Sequence, residues 1–170
     1  MNLETIIRDV PDFPKQGIIF KDITTLLQDG AAFRLALNQM LKKYLDARID
    51  KVLGIEARGF IFAGVLAYKL GCGFVPARKP GKLPFRTIRE EYTLEYGSSA
   101  LEIHEDSIKP GEKVLIVDDL LATGGTALAA ALLAEKLGGE VAGIEFLIEL
   151  GFLKGRDKIA KYPVSSLITY

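Results

Sequence analysis

Two adjacent carboxylates, Asp118 and Asp119, directly follow the apolar run Val114, Leu115, Ile116, Val117. That run has no polar alternation, the pattern of a strand buried on both faces, so its carboxyl end delivers both acids to one place. The loop Ala122, Thr123, Gly124, Gly125, Thr126 comes next. It is small and Gly-rich, so its backbone can approach an anion closely, while Thr123 and Thr126 add hydroxyl donors. An Ala/Leu-rich helical pattern runs from Thr126 towards Leu137. The loop is therefore expected at a helix N-terminus, where free N–H groups favour negative charge. Amides for a phosphate and carboxylates for hydroxyls are the recognition chemistry of a sugar phosphate. A plain turn is the competing explanation. Against it, acids abutting a doubly buried strand are hard to explain as solvated surface, and ligands bind at the carboxyl ends of parallel strands in open α/β sheets. The loop lacks the Gly-Lys-Ser/Thr ending of a Walker pattern.

The elements that must position this stretch are legible on either side. Lys51 to Ile55 predicts a second buried strand, followed by Glu56, Ala57, Arg58, Gly59 and a helical pattern with Phe60, Ile61, Ala63, Val65, Leu66 and Leu70. Arg58 is a candidate clamp for phosphate oxygens, and a surface ion pair with Glu56 is the alternative. Phe74 to Pro76 predicts a short third strand. A basic stretch then follows, with Arg78, Lys79, Lys82, Arg86 and Arg89 among Pro80, Gly81, Leu83 and Pro84, too punctuated for a helix. Thr87 to Ile103 reads as a mobile arm with a hairpin-like start at Tyr92 to Gly97. Such a long exposed segment suits a lid that excludes water. Glu90, Glu91, Glu95 and Glu102 supply its carboxylates, and His104, the single histidine, flanks it.

Pro110 and Gly111 predict a turn into the central strand. Val141 to Leu147 is the next strand and ends in Ile148, Glu149, Leu150, with Gly151 opening an irregular turn. Lys154 to Lys158 reads as a solvated helix start, and Val164 to Ile168 as the last strand. At the amino terminus, Leu3, Ile6, Ile7 and Val10 fit a short amphipathic helix ending at Pro11. Ile18 to Ile23 fits an edge strand, and the apolar residues between Ala31 and Leu45 lie largely at helical spacing.

A chain of 170 residues, 49% hydrophobic and 26% charged, is the size of one globular domain with a proper core. Lys+Arg and Asp+Glu balance at 22 each, which argues against nucleic acid or an anionic membrane as a bulk partner. Cys72 is alone, so no intramolecular disulfide forms, and a reducing, cytoplasmic setting is expected. No apolar run reaches membrane-spanning length, and Glu4, Arg8 and Asp9 interrupt any leader-like core.

Val114 to Thr126 resembles the 5-phosphoribosyl 1-pyrophosphate signature of type I phosphoribosyltransferases, and the form Leu120 to Thr126 is similar to the branch acting on adenine. Phe13, Pro14 and Phe20, Lys21, Asp22, Ile23, the run Arg78 to Pro84, and Leu94, Glu95, Tyr96, Gly97 match that branch as well. The resemblance implies an α/β fold, a doubly wound, mainly parallel sheet flanked by helices, with a small amino-terminal hood. It implies one domain over residues 1–170, with the hood at about 1–30 and a mobile catalytic loop at about 84–106. Phe20 would stack on the base, Ile19 and Lys21 would offer backbone, and Leu150 would line the base pocket. Arg58, Arg78, Lys79 and Lys82 would take pyrophosphate, Asp118 and Asp119 the ribose, and Ala122, Thr123, Gly124, Gly125 and Thr126 the 5-phosphate. Glu95, with Tyr96 beside it, would act on the purine. The family also implies a cis peptide without proline, placed here at Glu56–Ala57. Adenine and the donor would give AMP and pyrophosphate, with Mg²⁺ held mainly by substrate and water and oriented by Asp118 and Asp119. A homodimer is implied, with neither nucleic acid nor membrane as partner. Two other readings stay open: a transferase for another base, and a donor-sensing regulator of the same fold.

Overall fold

A computed structural model describes residues 1–93 and 97–170. The chain divides into two compact units, Met1–Gln39 and Met40–Tyr170. In the first, a single 3₁₀ turn at Glu4–Ile6 precedes strands β1 (Arg8–Pro11) and β2 (Ile19–Asp22), which pair antiparallel from Arg8↔Asp22 to Pro11↔Ile19. This corrects the amphipathic helix expected up to Pro11. So short a segment gains too few helical hydrogen bonds to offset nucleation, whereas pairing with β2 satisfies its backbone at once. Lys21 Nζ reaches Asp9 at 2.7 Å across the ribbon, and the rings of Phe13 and Phe20 meet edge-on at 5.1 Å. The Asp22 carboxylate accepts from the N–H and hydroxyl of Thr24, both at 2.9 Å, at the start of α1 (Thr24–Gln28). Asp29 likewise accepts from the N–H groups of Ala31 and Ala32 where α2 (Gly30–Lys42) begins.

The larger unit is built on five parallel strands in the order β4-β3-β7-β8-β9: β3 (Lys51–Ile55), β4 (Gly73–Ala77), β7 (Lys113–Leu121), β8 (Glu140–Glu149) and β9 (Val164–Thr169). Helix α3 (Gly59–Leu70) follows β3 and α4 (Gly125–Lys136) follows β7. A Cβ at Gly54 would lie 2.7 Å from Ala63 Cβ, so α3 covers the face to which Gly54 points. Leu53 and Ile55, pointing the other way, join Ile116, Phe146 and the alanines of α4 in the main core. Helices on both faces explain why the central strands show no polar alternation. The order also fixes where a ligand fits. From β3 the chain winds outward to β4, and from β7 it winds the opposite way to β8 and β9, so the crevice at the switch point lies between the ends of β3 and β7.

Strands β5 (Thr87–Thr93) and β6 (Ser98–His104) form an antiparallel hairpin registered from Thr87↔His104 to Thr93↔Ser98. Its stem is packed, with Leu101 and Ile103 buried, and Lys136 of α4 bonds the Glu90 carboxylate. His104 flanks the stem, accepting the Phe85 N–H at 3.4 Å. A last short helix, α5 (Gly155–Lys158), precedes β9.

Candidate functional site

At the switch point the two strand ends present opposite charges. β7 extends past the apolar run and pairs with β8 as far as Leu121↔Glu149, so Asp118 and Asp119 lie within the strand. From the end of β3, Arg58 places Nε 2.8 Å from Asp119 Oδ2. The alternative partner for Arg58, Glu56, is engaged elsewhere. Gly59 lets this approach happen, since a Cβ there would lie 2.8 Å from Asp118 Oδ1 and 3.0 Å from Val117 O. Asp118 Oδ1 accepts the Asp119 N–H at 2.8 Å. Burial, with the Asp119 charge beside it, pushes the Asp118 carboxyl well above the ordinary aspartate range. Burial pushes Asp119 the same way, and the Arg58 guanidinium opposes it.

The turn after β3 contains a cis peptide at Glu56–Ala57, where the sequence analysis placed one. Glu56 gathers the basic segment that follows β4. Its carboxylate accepts the Lys79 N–H at 2.6 Å and the Arg78 Nε and Nη2 at 3.2 and 3.1 Å, with Lys82 Nζ at 3.8 Å. Burial would raise its pKa, but the Lys79 amide, Arg78 and Lys82 together hold it below the ordinary glutamate value. Gly81 N–H donates to Glu102 at 3.1 Å, which ties the segment to the hairpin stem. The basic stretch therefore splits: Arg78, Lys79 and Lys82 stay by the strand ends, while Arg86 and Arg89 pair with Glu105 and Glu91.

The loop from Ala122 to Thr126 leads straight into α4. Gly124, at φ +81°, turns the chain into the helix, and its carbonyl accepts the Leu128 N–H at 3.0 Å. Thr123 and Thr126 are half-buried. Leu150 is half-buried too, and its N–H donates to Leu121 O at 2.9 Å, so it stands beside the end of β7. Ile19, Phe20 and Lys21 lie together on β2 of the amino-terminal unit. Glu95 and Tyr96 fall outside the described residues. Among the described residues no three His, Cys, Asp or Glu gather as a metal-binding group. Asp118 and Asp119 offer a pair of carboxylates.

The segment expected to be a solvated helix start does open α5, with Lys154, Asp157 and Lys158 exposed, but two of its residues are engaged with the rest of the fold. Gly155 is buried, and the Arg156 guanidinium forks onto Glu149, with Nε 3.0 Å from Oε1 and Nη2 bonded to Oε2. Sequence reasoning missed both residues, because an acid at a strand end and an arginine seven positions on carry no periodic signal. The hub role of Glu56 was missed for the same reason.

The chain matches the family model described as Phosphoribosyl transferase domain over residues 24–168. An adenine phosphoribosyltransferase of Clostridium perfringens is 61% identical over 170 residues, covering 100% of this chain and 99% of the relative. The crystal structure of adenine phosphoribosyltransferase from Thermoanaerobacter pseudethanolicus superposes with TM-score 0.93 at 55% identity, over 99% of this chain and 100% of that one. The Saccharomyces cerevisiae enzyme, complexed with an imino-altritol bisphosphate and adenine, superposes with TM-score 0.91 at 39% identity, over 96% of this chain and 95% of that one.

Proposed function

Since the chain belongs to the adenine phosphoribosyltransferases, we propose that the acids and glycine loop of β7, faced by Arg58 across the switch point, bind the phosphoribosyl donor. The protein transfers the 5-phosphoribosyl group from 5-phosphoribosyl 1-pyrophosphate to adenine, giving AMP and pyrophosphate, a purine salvage reaction. The observation that carries the site is the placement of Asp118, Asp119 and Ala122 to Thr126 on one strand end.

Loop amides and the hydroxyls of Thr123 and Thr126 hold the 5-phosphate, and Asp118 and Asp119 hold the ribose hydroxyls. Arg58, Arg78, Lys79 and Lys82 receive the pyrophosphate. Arg58, Arg78 and Lys82 now rest on Asp119 and Glu56, so the donor exchanges one set of ion pairs for another. A purine nitrogen forms the bond to the anomeric carbon as the bond to the pyrophosphate oxygen breaks, and pyrophosphate leaves with the electron pair through an oxocarbenium-like state. The positive side chains stabilise the charge growing on that leaving group. Mg²⁺, when bound, would supply further positive charge to the pyrophosphate, held mainly by substrate oxygens and water, with Asp118 and Asp119 orienting those groups. Glu95, with Tyr96 beside it on the loop at about 84–106, takes the purine proton. Phe20 stacks on the base, Ile19 and Lys21 read its edge through their backbone, and Leu150 packs against it, with residues 1–30 acting as the hood.

The enzyme works as a cytoplasmic homodimer. Its single cysteine suits a reducing compartment. The large apolar residues Ile61, Tyr68 and Phe74 are 38%, 81% and 40% exposed, a face suited to a second copy. Pyrophosphate release, measured with the donor and each base in turn, tests the function. Adenine should support turnover while hypoxanthine, guanine and uracil stay at background. Release with another base and none with adenine would reject the assignment.

A further inference from the structure

One ionic cluster, a buried acid held by a part-exposed arginine, has no part in the chemistry above. Glu149, the last residue of β8, is 8% exposed, and Arg156 grips both its oxygens. The same guanidinium donates from Nη1 to Val164 O at 2.8 Å and from Nη2 to Ser166 Oγ at 3.3 Å, and Ser166 donates to Glu149 at 2.6 Å. Arg156 is thereby locked to two strands of the sheet at once. A bidentate, charge-assisted fork of this kind fixes geometry as well as adding energy.

What the lock holds in place is the neighbouring backbone. Gly155 lies against the phosphate loop so closely that a Cβ on it would be 2.1 Å from Ala122 O and 3.0 Å from Gly124 N. Reciprocally, a Cβ on Gly124 would be 2.3 Å from Gly155 O. The loop is small, and α4 begins within it, so its position depends on what stands behind it. The backing is Gly155, and Gly155 is held by the next residue in the chain.

We infer that Arg156, locked on Glu149, is a positioning residue for the phosphate cradle. It holds the Gly155 backbone against Ala122 to Gly124 and so sets the spacing of the amides that grip a phosphate monoester. The inference rests on the reading of that loop as the 5-phosphate site, and the test separates the two.

The probes are AMP and adenosine, which differ only by the phosphate, titrated calorimetrically into the folded wild type and into Arg156→Leu, Arg156→Lys and Glu149→Gln. The ratio of the two affinities measures the phosphate grip alone. Arg156→Leu should reduce that ratio by about ten- to hundredfold, the scale on which a small misplacement acts. Arg156→Lys, which keeps the charge and loses the fork, should reduce it in the same direction by less, and it serves where the leucine variant does not fold. Donor KM should rise with a smaller change in kcat. Folded variants that keep the wild-type ratio, whatever their melting temperatures, would overturn the inference. A wild type that binds AMP no more tightly than adenosine would instead remove the loop from phosphate binding, and the inference would fall with that reading.

Discussion

At the scale of single residues, the crevice is a set of acids already holding the bases that the proposed donor site would use. Asp119 holds Arg58, and Glu56 holds Arg78 and Lys82. Such pairing keeps charges satisfied in a crevice where an unpaired one would be costly. Replacing both acids of β7, Asp118→Asn with Asp119→Asn, should weaken donor binding, because each amide has one acceptor oxygen where the carboxyl group has two to offer the ribose hydroxyls. A donor titration with unaltered affinity would count against that role. Glu95→Gln should lower turnover by roughly a hundred- to ten-thousandfold, the range for general acid/base groups, with donor affinity nearly intact. Single-turnover kinetics at saturating donor would show it. The residue types were legible from the chain alone, since acids, a Gly-rich loop and an arginine at strand ends announce their chemistry. Which base rests on which acid was not, because Arg58 and Asp119 are 61 positions apart and only the pairing of β3 with β7 brings them together.

At the scale of elements, the loop into α4 depends on two glycine backbones in contact. Gly124→Ala puts a side chain at φ +81° and 2.3 Å from Gly155 O. We expect it to cost about 1–3 kcal/mol, seen as a fall in Tm of several degrees, together with weaker AMP binding. The Arg156–Glu149 fork has a pH signature as well. Hydrogen bonding from Arg156, against the opposing effect of burial, holds Glu149 below its ordinary value of 4.5. A depressed carboxyl contributes stability that is fully present above its unfolded value and lost as pH falls through the folded one. The Tm gap between wild type and Glu149→Gln should therefore be constant near neutrality and shrink as pH is lowered below 4.5. A gap independent of pH would show that the fork contributes nothing through ionisation. The amino-terminal ribbon belongs to this scale too. The helical spacing that starts at Leu3 survives only as the 3₁₀ turn at Glu4–Ile6, because β2 offered a partner for Arg8 to Pro11, a competition that periodicity does not register.

At the scale of the whole molecule, strand order decides where chemistry can happen. Winding outward in both directions from β3 and β7 leaves one crevice at their carboxyl ends, and the acids, the glycine loop and Arg58 meet there. Assembly is the other question at this scale. Light scattering should return twice the mass of the chain, and Tyr68→Asp, which puts a charge on a residue 81% exposed, should shift the population towards monomer. An unchanged elution and mass for that variant would move the contact off α3. What the sequence determined by itself was everything that depends on neighbours along the chain. That includes the buried strands, the helices that follow them, the glycine loop after β7 and the family signature. Tertiary structure alone decided the rest: Glu56 as the hub of the basic segment, Gly155 as the backing of the loop, and Arg156, inside an otherwise solvated helix start, as a fork onto the buried Glu149. The physical reason is that a hydrogen bond or close backbone contact between distant segments depends on where the fold places them. Residue type and spacing set only what each segment can offer.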